Sequence, residues 1–383
     1  MRYDYIISGA GCAGLTLLMR MIDSGKFAEK RILVIDRDLK PRNDRTWCFW
    51  EKENSLFEPI VFRQWSDLYF FGENFESLLN IAPYRYKMIR GNDFYEYCLE
   101  TIKKNPSIEL REGRIESLQA TKKGVFIRVD GNHYEAEYIF NSILFDDPSL
   151  LKKGGQYYFL KQHFTGWVIK TERPVFDPSK ATLMDFRPSQ EHGSTFAYVL
   201  PFSEHKALVE YTLFTKDLLK PEEYEEALRT YVDTYVTKEN YTVEDSEFGV
   251  IPMTNFPFKP HDGNIVNIGT AGGQTKPSSG YTFQFIQKYT KKVVDTMIAT
   301  GQPFVQPETS GRFSFYDSTL LQVLDKKKVE GKRLFTDLFR HGDVQTVLKF
   351  LDNETTFRED INIMRRLPKG KFAMAALREI FKV

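Results

Sequence analysis

The stretch Tyr3-Asp-Tyr-Ile-Ile-Ser-Gly-Ala-Gly-Cys-Ala-Gly-Leu-Thr-Leu-Leu-Met-Arg-Met-Ile22 decides the fold. A short apolar run, a glycine turn and a helical apolar pattern follow one another, and Gly25 closes the helix. Arg31-Ile-Leu-Val-Ile-Asp36 then reads as a second buried strand. Together these make one βαβ unit. Gly9 permits the tight turn, Gly11 lets the backbone approach a pyrophosphate, and Gly14 lets helix and strand pack closely. The helix N-terminus offers free N–H groups and a positive dipole to the anion. Asp36, at the end of the second strand and about 20 residues past the last glycine, is placed to accept from a ribose hydroxyl. The expectation is a dinucleotide site built on Gly9, Gly11, Gly14 and Asp36.

Only one such unit occurs, so a separate nicotinamide domain is not expected. A late segment, Asn267-Ile-Gly-Thr-Ala-Gly-Gly273, again runs from a strand into a glycine turn before a helix. A nucleotide lobe split by a strand-rich insertion points to FAD rather than NAD. Gly272 and Gly273 then either face the flavin end or form a packing turn. The predicted organisation is α/β: residues 1–155 and 256–300 form a discontinuous, Rossmann-like FAD-binding lobe. Residues 156–255 form a strand-rich substrate lobe, and residues 301–383 a helical C-terminal region. Candidate strands cover 157–170, 181–187, 195–201, 207–214 and 241–249. A helix from Pro221 to about Tyr235 interrupts them, with proline in its first turn. Residues 108–142 alternate at period two, with turns at Lys122-Lys-Gly124 and Asp130-Gly131.

Composition narrows the function. The 383 residues carry 53 Lys and Arg against 52 Asp and Glu, a net charge of +1, which argues against nucleic acid as a main partner. Three widely spaced cysteines, Cys12, Cys48 and Cys98, make neither a disulfide framework nor a zinc pattern. They fit a reducing compartment. No signal-peptide or membrane-spanning pattern is found, the longest apolar run, Tyr5 to Met19, being too short to span. A cytoplasmic chain, soluble or peripherally bound, is expected. Aromatic residues reach 15%, with 32 Phe and 20 Tyr, which suits an apolar or cationic ligand as well as a Phe-rich core.

Two carboxyls stand out. Glu210 lies in Lys206-Ala-Leu-Val-Glu-Tyr-Thr-Leu-Phe214, where Leu208, Glu210, Thr212 and Phe214 share one strand face. A carboxyl in that company loses hydration, so its pKa rises and it becomes a proton donor near neutral pH. The alternative is a cross-strand ion pair, for example with Arg187. Asp185, in Leu183-Met-Asp-Phe-Arg187, is expected on a neighbouring strand, either tuning Glu210 or held by Arg187 in a local ion pair.

The combination of this βαβ unit with Asp44-Arg-Thr-Trp-Cys-Phe-Trp50, Gln162-His-Phe-Thr-Gly-Trp167, Met184-Asp-Phe-Arg187, Leu208-Val-Glu-Tyr-Thr212, Gly249-Val-Ile-Pro-Met253 and Gly272-Gly-Gln-Thr-Lys-Pro-Ser-Ser-Gly-Tyr-Thr-Phe283 resembles bacterial lycopene β-cyclases. The match in order and spacing covers nearly the whole chain and is weakest after about 325. The resemblance implies a non-redox flavoenzyme that closes the ψ ends of lycopene into β-ionone rings, using FAD kept reduced by NAD(P)H. It makes Glu210 the catalytic carboxyl and Asp185 a helper. Arg45, Gly272 and Gly273 join the glycine fingerprint as candidate cofactor contacts. Where the family carries a second acid after Glu210, this chain has Tyr211, and period two turns it to the opposite face. A redox flavoenzyme of the isoprenoid reductase or aromatic hydroxylase kind is the alternative.

A linear carotene lives in lipid, so peripheral association with the inner membrane is expected. From Asp325 onward the chain carries 14 Lys and Arg against nine Asp and Glu, which suits an anionic leaflet or a solvated basic face.

Overall fold

The computed structural model describes residues 2–39, 43–121, 124–145, 157–305, 311–326 and 329–380. Its first layer is built on the predicted βαβ unit. Strand Arg2–Ser8 lies between two parallel neighbours, Ile32–Asp36 and the C-terminal half of Asn132–Asn141. Ile108–Glu112 extends the sheet beyond Ile32–Asp36, and the short strand Ile265–Asn267 extends it beyond Asn132–Asn141, both in parallel. Helices Cys12–Ser24, Gly91–Lys103 and Phe283–Thr300 cover one face through Leu15, Leu18, Phe94, Val293 and Met297. The other face is covered by an antiparallel flap, Ile115–Thr121 and Gly124–Val129 running into Asn132–Asn141. The period-two reading of 108–142 therefore resolves into a parallel strand followed by this flap. The Asp130-Gly131 turn has positive φ at both residues. Lys122 and Lys123 of the other turn lie outside the described residues.

A seven-stranded sheet forms the second layer. Its order is Tyr241–Thr254, Phe159–Thr171, Lys206–Thr215, Ser194–Ser203, Lys180–Asp185, Asp67–Gly72 and Phe75–Asn80. Neighbours are antiparallel except Lys180–Asp185 with Asp67–Gly72. The five strands expected between 157 and 249 all lie here, but the sheet also takes the hairpin 67–80 from the N-terminal third of the chain. That hairpin pairs through its backbone, which carries no sequence signal for a partner more than 100 residues away.

The two faces of this sheet have different covers. Helix Pro221–Tyr231 packs Tyr224, Leu228 and Tyr231 against Trp167, Val209 and Tyr211. The opposite, inner face meets the C-terminal helices, where Leu334, Phe335 and Leu338 join Phe186, Phe196 and Phe214. A small antiparallel sheet of Thr46–Glu51, Arg85–Arg90 and Arg63–Trp65 also packs its Trp50, Trp65, Tyr86 and Met88 into that inner core. The C-terminal region is helical, with helices Gly311–Asp325, Gly331–His341, Val344–Leu351, Phe357–Met364 and Lys369–Ile380. Among the described residues no helix is long and apolar enough to cross a membrane.

Candidate active site

The first half of the site is the cleft at the glycine turn. Gly9 has φ 101°, and a Cβ there would stand 2.2 Å from Ser142 Oγ, so the turn needs glycine. A Cβ on Gly14 would stand 2.0 Å from the Gly9 carbonyl oxygen, which is the close helix–strand approach expected of the third glycine. A Cβ on Gly11 would meet nothing within 4 Å. It would project into a cleft of about 850 Å³ lined by Gly9, Gly11, Asp36, Arg45, Arg114 and Ser142 among others. Asp36 Oδ2 accepts from the Ala10 N–H at 2.7 Å, tying the second strand to the turn. Cys12, in the first helical turn, has its thiol pushed up to about 12 by burial, so it brings no competing anion to the helix N-terminus. Open space at Gly11, free N–H groups beyond it and a cation at Arg45 suit a pyrophosphate.

The late glycine turn reaches the same region. Strand Ile265–Asn267 leads into the turn Gly269–Gly272, and a Cβ on Gly269 would approach Ala13 Cβ to 2.7 Å. The turn thus rests on the first helix. Gly272 abuts the Asn267 carbonyl, and Gly273 is left-handed at φ 77° beside Phe258. Both have packing reasons to be glycine, and neither is among the residues lining the cleft of the first turn.

The second half of the site lies on the inner face of the seven-stranded sheet. Register places Tyr198, Glu210, Gly166 and Glu247 in one row across four adjacent strands. Gly166 faces both acids and has no side chain, so the carboxyls of Glu210 and Glu247 face each other over it. Phe164 and Val168, two residues away on either side, wall this gap on the same face. Thr212 Oγ1 donates to Glu210 Oε1 at 2.7 Å, and Thr46 Oγ1 donates to Glu247 Oε2 at 3.0 Å. Burial, then the neighbouring Glu247, raises the Glu210 pKa. Burial is also the main cause of the rise at Glu247. The expected apolar setting of Glu210 is therefore present, and its partner is a second acid rather than a base. Glu247 was not singled out in the sequence. Its register with Gly166 depends on strand pairing, which a single sequence does not display.

Asp185 is elsewhere. It pairs with Ala197, whose neighbour across the next strand is Tyr211, so it belongs to the face opposite Glu210. It is fully buried. Arg187 Nε donates to both of its oxygens at 2.9 Å, and Tyr231 Oη donates to Oδ2 at 2.7 Å. The guanidinium stacks over Phe71 at 3.8 Å. The expectation of a helper to Glu210 is thus corrected to the local ion pair with Arg187. Adjacent strands do not bring two carboxyls together when their side chains leave opposite faces.

One short segment joins the two halves. Arg45 lines the cleft of the glycine turn, while the next residue, Thr46, holds Glu247. Asn43 Nδ2 donates to Asp245 Oδ2 at 2.9 Å, fastening the same segment to the strand that carries Glu247. A second cleft of about 480 Å³ opens here, lined by Thr46, Phe62, Met88, Val168, Leu208 and Glu247 among others. Farther along the inner face, an almost wholly apolar chamber of about 390 Å³ lies among the C-terminal helices. Phe315, Leu334, Phe335 and Phe350 line it, with Ser278 and Ser279 at its polar edge.

The chain is 23% identical over 301 residues to a lycopene beta-cyclase of Pantoea ananas, covering 73% of this chain and 71% of that protein. It is 30% identical over 129 residues to a chloroplastic lycopene beta cyclase of Nicotiana tabacum, covering 30% of this chain and only 25% of that protein. Among solved structures it is similar to a flavoprotein/dehydrogenase from Cytophaga hutchinsonii, with TM-score 0.63, 12% identity and 98% and 99% of the two chains covered. It is also similar to a geranylgeranyl bacteriochlorophyll reductase-like protein from Thermoplasma acidophilum, with TM-score 0.58, 12% identity and 99% and 96% covered. A probable FAD-dependent monooxygenase from Pseudomonas aeruginosa is similar too, with TM-score 0.55, 13% identity and 92% and 100% covered, so the fold is the one shared by these flavoprotein reductases and monooxygenases. The family described as lycopene cyclase protein matches residues 4–378, and over that span, nearly its whole length, the chain belongs to the lycopene cyclase family.

Proposed function

We propose that the chain is a lycopene β-cyclase that binds FAD in the cleft of Gly9, Gly11, Gly14, Asp36 and Arg45. Glu210 is the proton donor. The observation that carries this reading is a carboxyl with a raised pKa on an apolar sheet face, one short segment away from the nucleotide cleft, in a chain of this family. A carboxylic acid that stays protonated near neutral pH protonates a terminal alkene of the substrate. Its O–H bond breaks, a C–H bond forms, and the tertiary cation left behind is attacked by a neighbouring double bond to close the ring. Loss of a ring proton to a carboxylate oxygen restores the acid, so atoms and electrons balance with no net oxidation.

The residues around Glu210 suit each step. Phe164, Val168 and Leu208 on its face, and the buried Tyr86 and Met88 of the small sheet, limit water that would quench the cation. The Tyr198 and Tyr86 hydroxyls have pKa values raised well above the ordinary range, mainly by burial, so both rings stay neutral and present π faces to positive charge. Reduced FAD, held by the cleft of Gly9, Gly11, Asp36 and Arg45, would supply fixed negative charge that stabilises a developing cation. NAD(P)H is the proposed reductant that keeps it reduced. The apolar chamber among the C-terminal helices is the proposed resting place for the body of the linear carotene, and the basic C-terminal helices are the proposed contact with an anionic inner membrane.

The test is expression in a lycopene-accumulating bacterium followed by pigment chromatography. The expected product has the mass of lycopene and a shorter chromophore, and nicotinamide use does not scale with product in the purified, flavin-reduced enzyme. A product heavier or lighter than lycopene, formed with stoichiometric nicotinamide oxidation, would move the chain to the reductase or hydroxylase reading.

A further inference from the structure

Glu247 has no place in the mechanism so far, yet it is among the most constrained acids in the molecule. It is 9% exposed, and Thr46 satisfies its Oε2. Its Oε1 is buried and accepts from no ordinary donor. The remaining neighbour in position is the carboxyl of Glu210, and a carboxyl donates only when it carries a proton. An orphan oxygen on one acid and a facing second acid are resolved together if the two hold one proton between them.

Register explains why they meet. Gly166 is the residue between them on the intervening strand, and a Cβ there would lie 3.1 Å from Glu247 Cγ, 3.3 Å from Glu247 Oε1 and 3.0 Å from Leu208 Cδ1. Any side chain at 166 would push Glu247 away. A second glycine, Gly249, serves the same local packing, since a Cβ there would stand 2.3 Å from Phe164 Cζ, and the Phe164 ring walls the gap. We propose that Glu210 and Glu247 form a proton-sharing carboxyl pair assembled over Gly166, in which Glu247 holds and tunes the proton that Glu210 delivers. This rests on the cyclase reading for its chemistry but not for its existence.

In the resting pair Glu210 is the acid and Glu247 the anion that accepts its hydrogen bond. When the Glu210 O–H bond breaks and its proton moves to substrate carbon, two carboxylates face one carbocation. Their mutual repulsion favours return of a proton from the ring to the pair, and the net change is zero. The surroundings suit this. Cys48 from the Thr46–Glu51 strand, Tyr86 from Arg85–Arg90 and Tyr198 from Ser194–Ser203 face Glu210, with Tyr281 beyond Tyr198, and burial keeps all four neutral. Asp44 and Asp245 stand beyond Glu247 and add negative charge. Arg63, Arg90 and Lys206 line the cleft on its outer side.

The direct measurement is an infrared titration of the carboxylic acid carbonyl band in the full-length, flavin-loaded protein, with no substrate. The wild type should keep a protonated carboxyl well above the ordinary Glu value of about 4.3. In Glu210→Gln the component of the band that titrates at the wild-type midpoint should be lost. In Glu247→Gln the anion that holds the proton is gone, so the Glu210 midpoint should fall by at least about one pH unit, a tenfold loss of proton affinity. Gly166→Ala should shift it the same way without changing charge, and Glu247→Asp should restore part of the wild-type value. In turnover assays the alkaline limb of the pH profile should move down with the midpoint while KM changes little. An unshifted midpoint in both Glu247→Gln and Gly166→Ala overturns the pair. A shifted midpoint in a protein that makes no cyclic carotene leaves the pair standing and removes the cyclase reading.

Discussion

Replacing Glu210 by Gln removes a proton and leaves the shape of the side chain. The variant should lose about 10²–10⁴-fold in turnover, the usual cost of a missing general acid, while flavin absorbance per mole of protein is unchanged. Substantial turnover by folded, loaded enzyme would take Glu210 out of the chemistry. Asp185→Asn should behave in the opposite way. It leaves Arg187 without its bidentate partner on a buried sheet face. Breaking a buried pair costs about 3–5 kcal/mol, and because Arg187 keeps a third of its side chain in water the loss should sit at or below the lower end. Thermal melting should show a clear drop, with turnover per loaded molecule close to wild type. The two acids looked alike in sequence because both sit in apolar strands. What separates them is the face each one leaves, and that is set by pairing.

The glycine turn was legible because its logic is local. Strand, turn, helix and acid lie within Tyr3–Asp36; Gly14 answers to Gly9 and Ile7 and Gly11 to open space, while only the Ser142 contact of Gly9 comes from far along the chain. The inner-face row of Tyr198, Glu210, Gly166 and Glu247 was half legible. Glu210 and Gly166 lie in blocks that carry the family resemblance, but Glu247 joins them only through the register of Tyr241–Thr254 on Phe159–Thr171. The hairpin 67–80 was not read as part of that sheet for the same reason. The difference between local and non-local causes gives a prediction on the first helix. Gly11→Val places a branched side chain in open cleft, so the protein should fold and melt normally but purify without flavin. Gly14→Val drives the same side chain into the Gly9 carbonyl and Ile7, so melting should fall before any question of flavin arises. Flavin content and melting temperature, measured on both, distinguish a cofactor glycine from a packing glycine. Yellow, fully loaded Gly11→Val protein would remove the pyrophosphate assignment.

At the scale of the whole molecule, the cyclase reading requires the substrate to reach Glu210 from lipid, and the final helix is the element we propose meets the bilayer. Lys369–Ile380 turns Ala375 into the core, while Phe372, Ala373 and Ala376 line the apolar chamber. Met374, Leu377 and Ile380, spaced by three, stand 55%, 53% and 57% exposed, beside the exposed Lys371 and Arg378. Two forces then act on a bilayer surface. Each basic residue near anionic lipid contributes about 1 kcal/mol, and salt screens that term beyond about 10 Å at 0.1 M. Full burial of an aliphatic side chain contributes about 1.5–3 kcal/mol, so three half-exposed ones give a comparable sum that salt does not weaken. High salt should therefore release only part of the protein from vesicles containing anionic lipid. Leu377→Glu with Met374→Glu should release most of it at any salt, with the fold, flavin content and titration of Glu210 unchanged. Cosedimentation with such vesicles checks this. If salt alone releases everything, the contact is purely electrostatic and the apolar row is idle. If the double variant stays bound, the lipid-facing element lies elsewhere and the chamber is filled by another route.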